Sequence, residues 1–391
     1  MTGLYIHIPF CLRRCEYCDF ITEAGMTKII PAYLNALLKE VRFVGEHSRN
    51  KDECISSIYL GGGTPSLLRA DQVKTLLDQV KAQFQISEDA EVTLEANPGT
   101  TRTMDFEGLL AAGVNRLSFG AQSFHDDELK ALGRIHSTAQ ITASFLLARE
   151  AGFVNISLDM IFGIPGQTLE TWHESLRAAL ALKPEHLSLY SLILEEGTPL
   201  FDQVTQGKVR LPEGDVVADM YLLAREVLGK AGFGHYEISN WAREERLESQ
   251  HNKVYWYNQP YHAFGTGAHR RLDNYRSFNV ENTIEYIARM MAEQPLEPDW
   301  ISHATAEVLE ITPKTSMQET MMLGLRLVRE GVSEKAFFER YQKEMTVMFA
   351  KEIRHILARG LVEWVSDANG RALRLTYQGV MVGNQAFMEF V

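Results

Sequence analysis

Three cysteines fall within one short run, Cys11-Leu-Arg-Arg-Cys15-Glu-Tyr-Cys18, and their spacing is the strongest chemical signal in the chain. Thiolates are the ligands that iron–sulfur clusters need. Three thiolates on a four-iron cube leave one iron open to a small molecule. A structural zinc site wants a fourth ligand and usually paired Cys-x2-Cys knuckles. Only one such pair is present, and the remaining cysteine, Cys54, is distant. Arg13, Arg14 and Glu16 make the run a polar loop, unlike the surroundings of buried structural thiols. Cys54 reads as a plain thiol on the approach to a strand. Four cysteines in 391 residues do not make a disulfide scaffold.

The elements that must hold this loop alternate regularly. Strands are predicted at 4–8, 57–60, 91–96, 116–119, 155–161 and 186–192. Helices are predicted near 31–43, 71–84, 103–112, 126–131, 139–151, 169–182 and 216–231. Such alternation implies parallel pairing with right-handed crossovers. Six units fit an incomplete barrel, and a doubly wound sheet would show the same pattern. Gly61-Gly62-Gly63-Thr64-Pro65 follows the second strand, where bare backbone can approach a ligand or simply turn tightly.

After residue 232 the character changes. Residues 235–276 are rich in His, Tyr, Trp, Asn and Gly, and 292–303 read as a linker or wrapping loop. The tail reads as helices near 316–330, 333–341 and 346–359, then strands at 361–365 and 373–377 around a turn at 367–370. That pattern suggests a small winged-helix-like domain. The expected division is therefore 1–235, a barrel; 236–300, an aromatic and His-rich segment packing on it; and 301–391, the C-terminal domain.

Composition excludes several classes. Apolar residues make up 45%, enough for a sizeable core. The formal charge of −12 argues against a broad phosphate-binding surface. In the tail, Lys335, Arg340, Lys343, Lys351, Arg354 and Arg359 are interleaved with Glu334, Glu339, Glu344 and Glu352, the pattern of paired helix faces, so no nucleic acid is expected. No apolar run is long enough for a membrane span, and the first residues lack the pattern of a secretory signal, so a cytoplasmic protein is expected.

Cys-x3-Cys-x2-Cys with Tyr17 before the third cysteine resembles the signature of radical S-adenosylmethionine (SAM) proteins. The resemblance implies a [4Fe–4S] cluster on Cys11, Cys15 and Cys18. Its open iron would be chelated by the amino and carboxylate groups of SAM, with one electron from the cluster cleaving the sulfonium in the enzymes of that class. A closer similarity is to the coproporphyrinogen III oxidase-like branch. It rests on His7-Ile-Pro-Phe-Cys11, Gly61-Gly-Gly-Thr-Pro65, Glu95-Ala-Asn-Pro98, Asn115-Arg-Leu-Ser-Phe-Gly120, Gln122-Ser-Phe124 and Asp159-Met-Ile-Phe-Gly-Ile-Pro165, in order. It implies an α/β fold, a partial (β/α)6 radical SAM barrel with a small, mostly helical winged-helix-like C-terminal domain. Carried over by position, Tyr5 and Tyr17 flank the cofactor, and Gly62, Gly63 and Thr64 hold its amino end. Glu95, Gln122, Arg134 and Asp159 contact its amino acid, ribose or carboxylate. The residue types suit this: Arg134 can fork onto a carboxylate, and the acids can accept from an ammonium or a hydroxyl. The plain alternative for Glu95, Arg134 and Asp159 is structural salt bridging within the barrel.

Two departures set the chain apart from the decarboxylating oxidase. Phe20 stands where that enzyme's pattern has a fourth cysteine, and the first strand begins at residue 4, with no room for its N-terminal extension. Conversely, His251-Asn-Lys-Val-Tyr-Trp256, flanked by Tyr236-Glu-Ile-Ser-Asn-Trp-Ala242 and Phe264-Gly-Thr-Gly-Ala-His269, resembles the corresponding region of the HemW haem-chaperone family. That similarity implies haem as cargo, taken from a donor and passed to respiratory, membrane-associated acceptors. His251 is the candidate axial ligand, with His262 and His269 as rivals, and Tyr255, Trp256, Tyr257 and Tyr261 offer flat faces to a macrocycle. A satisfied structural network around His251 is the competing reading. Cluster-dependent homodimerisation is a further expectation. The alternative function is a radical SAM enzyme acting on a tetrapyrrole by decarboxylation, methylation or ring opening.

Overall fold

The computed structural model describes residues 1–47, 53–292, 301–367 and 370–391. Six parallel strands form its centre: β1 (Thr2–Ile8), β2 (Cys54–Gly62), β3 (Gln85–Ala96), β4 (Arg116–Gln122), β5 (Ile156–Phe162) and β6 (His186–Ser191). Each alternates in chemistry as well as direction, because successive side chains leave opposite faces of a strand. Leu4, Ile6, Ile58, Leu60, Leu94, Leu117, Phe119, Leu158 and Leu187 are fully buried apolar residues. Their neighbours in sequence are Tyr5, Tyr59, Glu95, Arg116, Ser118, Asp159 and Ser188, which line one central cavity. Helices such as Ile30–His47, Ala70–Gln83 and Leu169–Ala181 cover the apolar face. The fold is thus an α/β one, six parallel strands with helices over the apolar face and a polar lumen, in the form the resemblance implies.

The sheet is wider than six strands, and residues 234–279 extend it. They supply strands at both edges of the same sheet: β7 (Gly234–Glu237), β8 (Asn240–Ala242), β9 (Tyr261–Phe264), β10 (His269–Leu272) and β11 (Tyr275–Asn279), with β12 (Thr305–Glu310) beyond. The order is β12-β11-β10-β9-β1-β2-β3-β4-β5-β6-β8-β7. β9 is a further parallel strand beside β1, while β8 pairs antiparallel with β6. These strands lack an apolar alternation. β10 buries two arginines, Arg270 and Arg271, which donate to Ser277 Oγ at 2.7 Å and to the Asn258 carbonyl at 2.8 Å. Most of the predicted 292–303 linker lies outside the described residues.

In the tail, a three-stranded sheet of Val332–Ser333, Gly370–Leu375 and Val362–Asp367 packs with short helices. The helix predicted to run to residue 330 stops at Gly324. A side chain at Gly324 would meet Val332 Cγ2 at 2.8 Å, so the chain turns there to bring Val332 into the sheet. The predicted 346–359 helix is broken at Phe349 into Met345–Met348 and Ala350–Ala358.

Candidate cofactor site

The three cysteines come together at the mouth of the barrel. After β1, Phe10–Cys11 pairs in parallel with Glu23–Ala24, which closes the intervening residues into a loop. Cys11, Cys15 and Cys18 are half-buried and line a cavity of about 640 Å³. Cys11 Sγ lies 3.4 Å from Thr64 Oγ1, and Arg134 Nη1 reaches Cys15 Sγ at 3.4 Å. Burial pushes the Cys11 and Cys18 thiols above their ordinary range, with Arg134 pulling Cys11 the other way. Cys54 sits exposed at the start of β2 and does not line this cavity.

The glycine run has an identifiable packing role. Gly63 donates its N–H to the Ile8 carbonyl at 2.8 Å. A Cβ there would lie 2.7 Å from the Pro9 carbonyl carbon, on the backbone that feeds Cys11. Gly62 has φ +111°, and a Cβ would strike the His7 ring at 2.4 Å. Close backbone approach therefore seats the cysteine loop, whatever else the bare amides do.

The remaining residues converge on the same cavity. Tyr5, Tyr17, Thr64, Glu95, Gln122, Arg134 and Asp159 all line it, with Gly62 and Gly63. Glu95 accepts from Tyr59 Oη at 2.7 Å and from Gly62 N–H at 3.1 Å. Burial raises its carboxyl to about 7, against the hydrogen bond from Tyr59. Asp159 accepts from Ser118 Oγ at 2.9 and 2.8 Å and from Ser157 Oγ at 3.2 Å, and burial raises it as well. Arg134 donates to the Gly120 carbonyl at 3.0 Å, and its buried Nε has no partner among the described residues. Gln122 holds φ +66° just after a register shift in β4, a local strain that the surrounding strands maintain. Glu95 and Asp159 thus make no ion pair with Arg134 among the described residues, unlike the structural salt-bridge alternative.

The haem candidates divide sharply. His251 is 1% exposed. Its Nδ1 lies 3.0 Å from Ser57 Oγ and its Nε2 2.8 Å from Tyr255 Oη, and it stacks on Tyr59 at 5.1 Å. Both nitrogens are engaged and burial drops its pKa to about 3, so this arrangement does not present it as an open axial ligand. His262 is equally enclosed, between Phe84 and Phe264, with neither nitrogen partnered among the described residues. His269 is exposed and stacks on Phe278 at 5.0 Å. Trp256 and Tyr257 face the tail instead: Arg326 lies over Trp256 at 4.3 Å, and Tyr257 donates to Glu330.

Sequence reasoning missed Tyr59, Arg116, Ser118, Ser188 and Tyr190, which line the cavity beside the assigned residues. Their signal was the period-two polar face of the strands, Arg116/Ser118, Ser157/Asp159 and Ser188/Tyr190.

A sulfur trio, a forked cation and half-buried acids around one cavity suit a [4Fe–4S] cluster with SAM on its open iron, and Arg134 Nε, unpartnered among the described residues, offers a donor for a carboxylate. The fold and this site define a radical SAM protein: residues 5–179 match the Radical SAM superfamily, and residues 311–382 match the HemN C-terminal domain. The chain is 38% identical to the heme chaperone HemW of Bacillus subtilis (strain 168), covering 100% of this chain and 99% of that one. It is 36% identical to the mitochondrial radical S-adenosyl methionine domain-containing protein 1 of Mus musculus, covering 97% and 85%. The solved coproporphyrinogen III oxidase of Escherichia coli shares the fold, with a TM-score of 0.79 over 100% of this chain and 89% of that one, at 22% identity. The chain belongs to the HemW family of heme chaperones.

Proposed function

We propose that this protein carries haem: it binds the cofactor and hands it to acceptor haemoproteins. The observation that carries this reading is relatedness to heme chaperones along the entire chain, including the strands after the barrel that border a cavity beside the cluster site. Cys11, Cys15 and Cys18 hold the cluster. When bound, the cluster and SAM supply one-electron chemistry at the sulfonium. Arg134 pairs with the carboxylate of SAM, while Glu95, once ionised, accepts from its ammonium. Asp159 and Gln122 face the ribose, and Tyr5 and Tyr17 flank the cofactor while Gly62, Gly63 and Thr64 meet its amino end. The unit boundaries at 235 and 300 belong to this reading too, as do a cytoplasmic location, a cluster-dependent homodimer and membrane-associated respiratory acceptors. No helix among the described residues is long and apolar enough to cross a membrane.

The test is anaerobic reconstitution with iron and sulfide, followed by haem titration and mixing with an apo-haemoprotein. Stoichiometric uptake followed by transfer of an unaltered porphyrin is expected. No uptake, or 5′-deoxyadenosine formed in step with a changed porphyrin, would overturn the carrier reading, the latter in favour of a radical enzyme acting on a tetrapyrrole.

A further inference from the structure

The cluster cavity adjoins a second one. Between the cysteine loop and the strands β9 and β10 lies a space of about 460 Å³ that shares Tyr5, Gly62, Glu95 and Tyr255 with the first. Phe20 and Ile21 from the loop and Tyr261 from β9 give it apolar and aromatic walls, and Phe20 is 64% exposed. Tyr255 meets Tyr261 edge-on at 4.7 Å, which fixes that wall. The approach of β10 is built in at Gly267, with φ +62°, where a Cβ would meet Ile21 Cδ1 at 2.2 Å.

Three histidines line these two cavities: His7, His251 and His269. His7 is closed at both nitrogens, by Tyr5 Oη at 2.9 Å and the Ile21 carbonyl at 2.9 Å. His251 is closed by Ser57 and Tyr255. His269 differs. Among the described residues neither of its ring nitrogens has a hydrogen-bond partner, and Phe278 stacks beneath the ring with the planes 21° apart. A neutral imidazole with a free nitrogen, held flat beside aromatic walls, is what ferric or ferrous porphyrin iron takes as an axial ligand. Partial burial and Arg276 lower its pKa, which favours the neutral form.

We propose that this side cavity is the haem seat and that His269, not His251, is the axial ligand to the iron. The assignment rests on the carrier reading and names the residue that would do the binding. It places the cargo against Tyr5 and Glu95, so the same residues border haem on one side and the SAM site on the other.

The experiment is haem titration of the reconstituted full chain, followed by the Soret band and by magnetic circular dichroism. His269→Ala is expected to lose the histidine-ligated spectrum and to bind haem at least tenfold more weakly, with cluster content unchanged. Added imidazole is expected to restore the wild-type band in His269→Ala. His269→Met is expected to shift the band rather than abolish it, which separates ligation from misfolding. Wild-type uptake with His269→Ala unchanged in spectrum and affinity overturns the assignment alone, as does loss confined to His251→Ala. A wild-type chain that takes up no haem overturns the carrier reading and the assignment with it.

Discussion

Tyr59 and Glu95 stand on adjacent strands, and the phenol donates to the half-buried carboxylate at 2.7 Å at the place where the Gly62 amide also points. The pair sets the protonation of the cavity. Burial lifts Glu95 from 4.5 to about 7, so the folded state keeps this proton longer than the unfolded chain does. Its contribution to stability is therefore fullest below about pH 4.5 and is lost as pH rises to about 7, by on the order of 3 kcal/mol. In cofactor-free protein, the unfolding free energy of the wild type should decline across that window relative to Glu95→Gln. Parallel denaturation profiles for the two proteins would remove Glu95 as the cause.

The same titration governs binding. SAM affinity of the wild type should rise with pH toward about 7, as Glu95 ionises. Glu95→Gln should bind roughly 10- to 100-fold more weakly above that pH, in line with losing a charge-assisted hydrogen bond of about 1.5–3 kcal/mol. Anaerobic calorimetry reads both, and equal affinities would reject the ammonium contact.

Replacing any one of Cys11, Cys15 and Cys18 with Ser should abolish the stable cluster while leaving the far-ultraviolet circular dichroism intact. The thiols are only half-buried and the loop is tied by backbone bonds such as Gly25 N–H to the Cys11 carbonyl at 3.0 Å. Iron and sulfide analysis checks this. A Cys54→Ser variant should keep its iron, since that thiol is exposed and away from the cavity.

His251→Ala should destabilise the fold by about 2–4 kcal/mol, because it leaves Ser57 Oγ and Tyr255 Oη without partners inside the barrel. The native ring is neutral, with its pKa lowered by burial from 6.5 to about 3. Its contribution is present above pH 6.5 and is lost as pH falls toward 3. Chemical denaturation across that range should show a smaller acid loss in the variant.

Lys253→Met should loosen the tail from the barrel. Lys253 Nζ lies 2.8 Å from Glu248 and 3.3 Å from Glu330, and Glu248 is 1% exposed. Removing this cation leaves Arg329, 2.6 Å from Glu248 and 3.3 Å from Glu330, as the remaining counter-charge, so the cost is that of lost charge-assisted hydrogen bonds, about 1.5–3 kcal/mol. Differential scanning calorimetry and limited proteolysis should show the C-terminal domain releasing earlier than in the wild type.

The central strands were legible because Leu4, Ile6, Leu158 and Leu187 sit in apolar runs bounded by glycine and proline, a local pattern with a local cause. The edge strands were not. Arg270 and Arg271 in β10 are buried against Ser277 and Asn258, and a buried arginine looks like a surface residue until its partners are known. The tail helices were recognised but overrun at Gly324, where a tertiary contact with Val332 decides the end.

Residue order alone dictates the donor chemistry here: the spacing of Cys11, Cys15 and Cys18, the acids and arginine at strand ends, and the polar face opposite each apolar one. Folding assigns the vacancies among those donors. His251 and His269 are chemically identical imidazoles, yet His251 is saturated by Tyr255 and by Ser57, 194 positions away, while among the described residues His269 keeps both nitrogens free beside an aromatic wall. A nitrogen's availability depends on which distant groups the fold brings within about 3 Å of it, and that distance is written only in three dimensions.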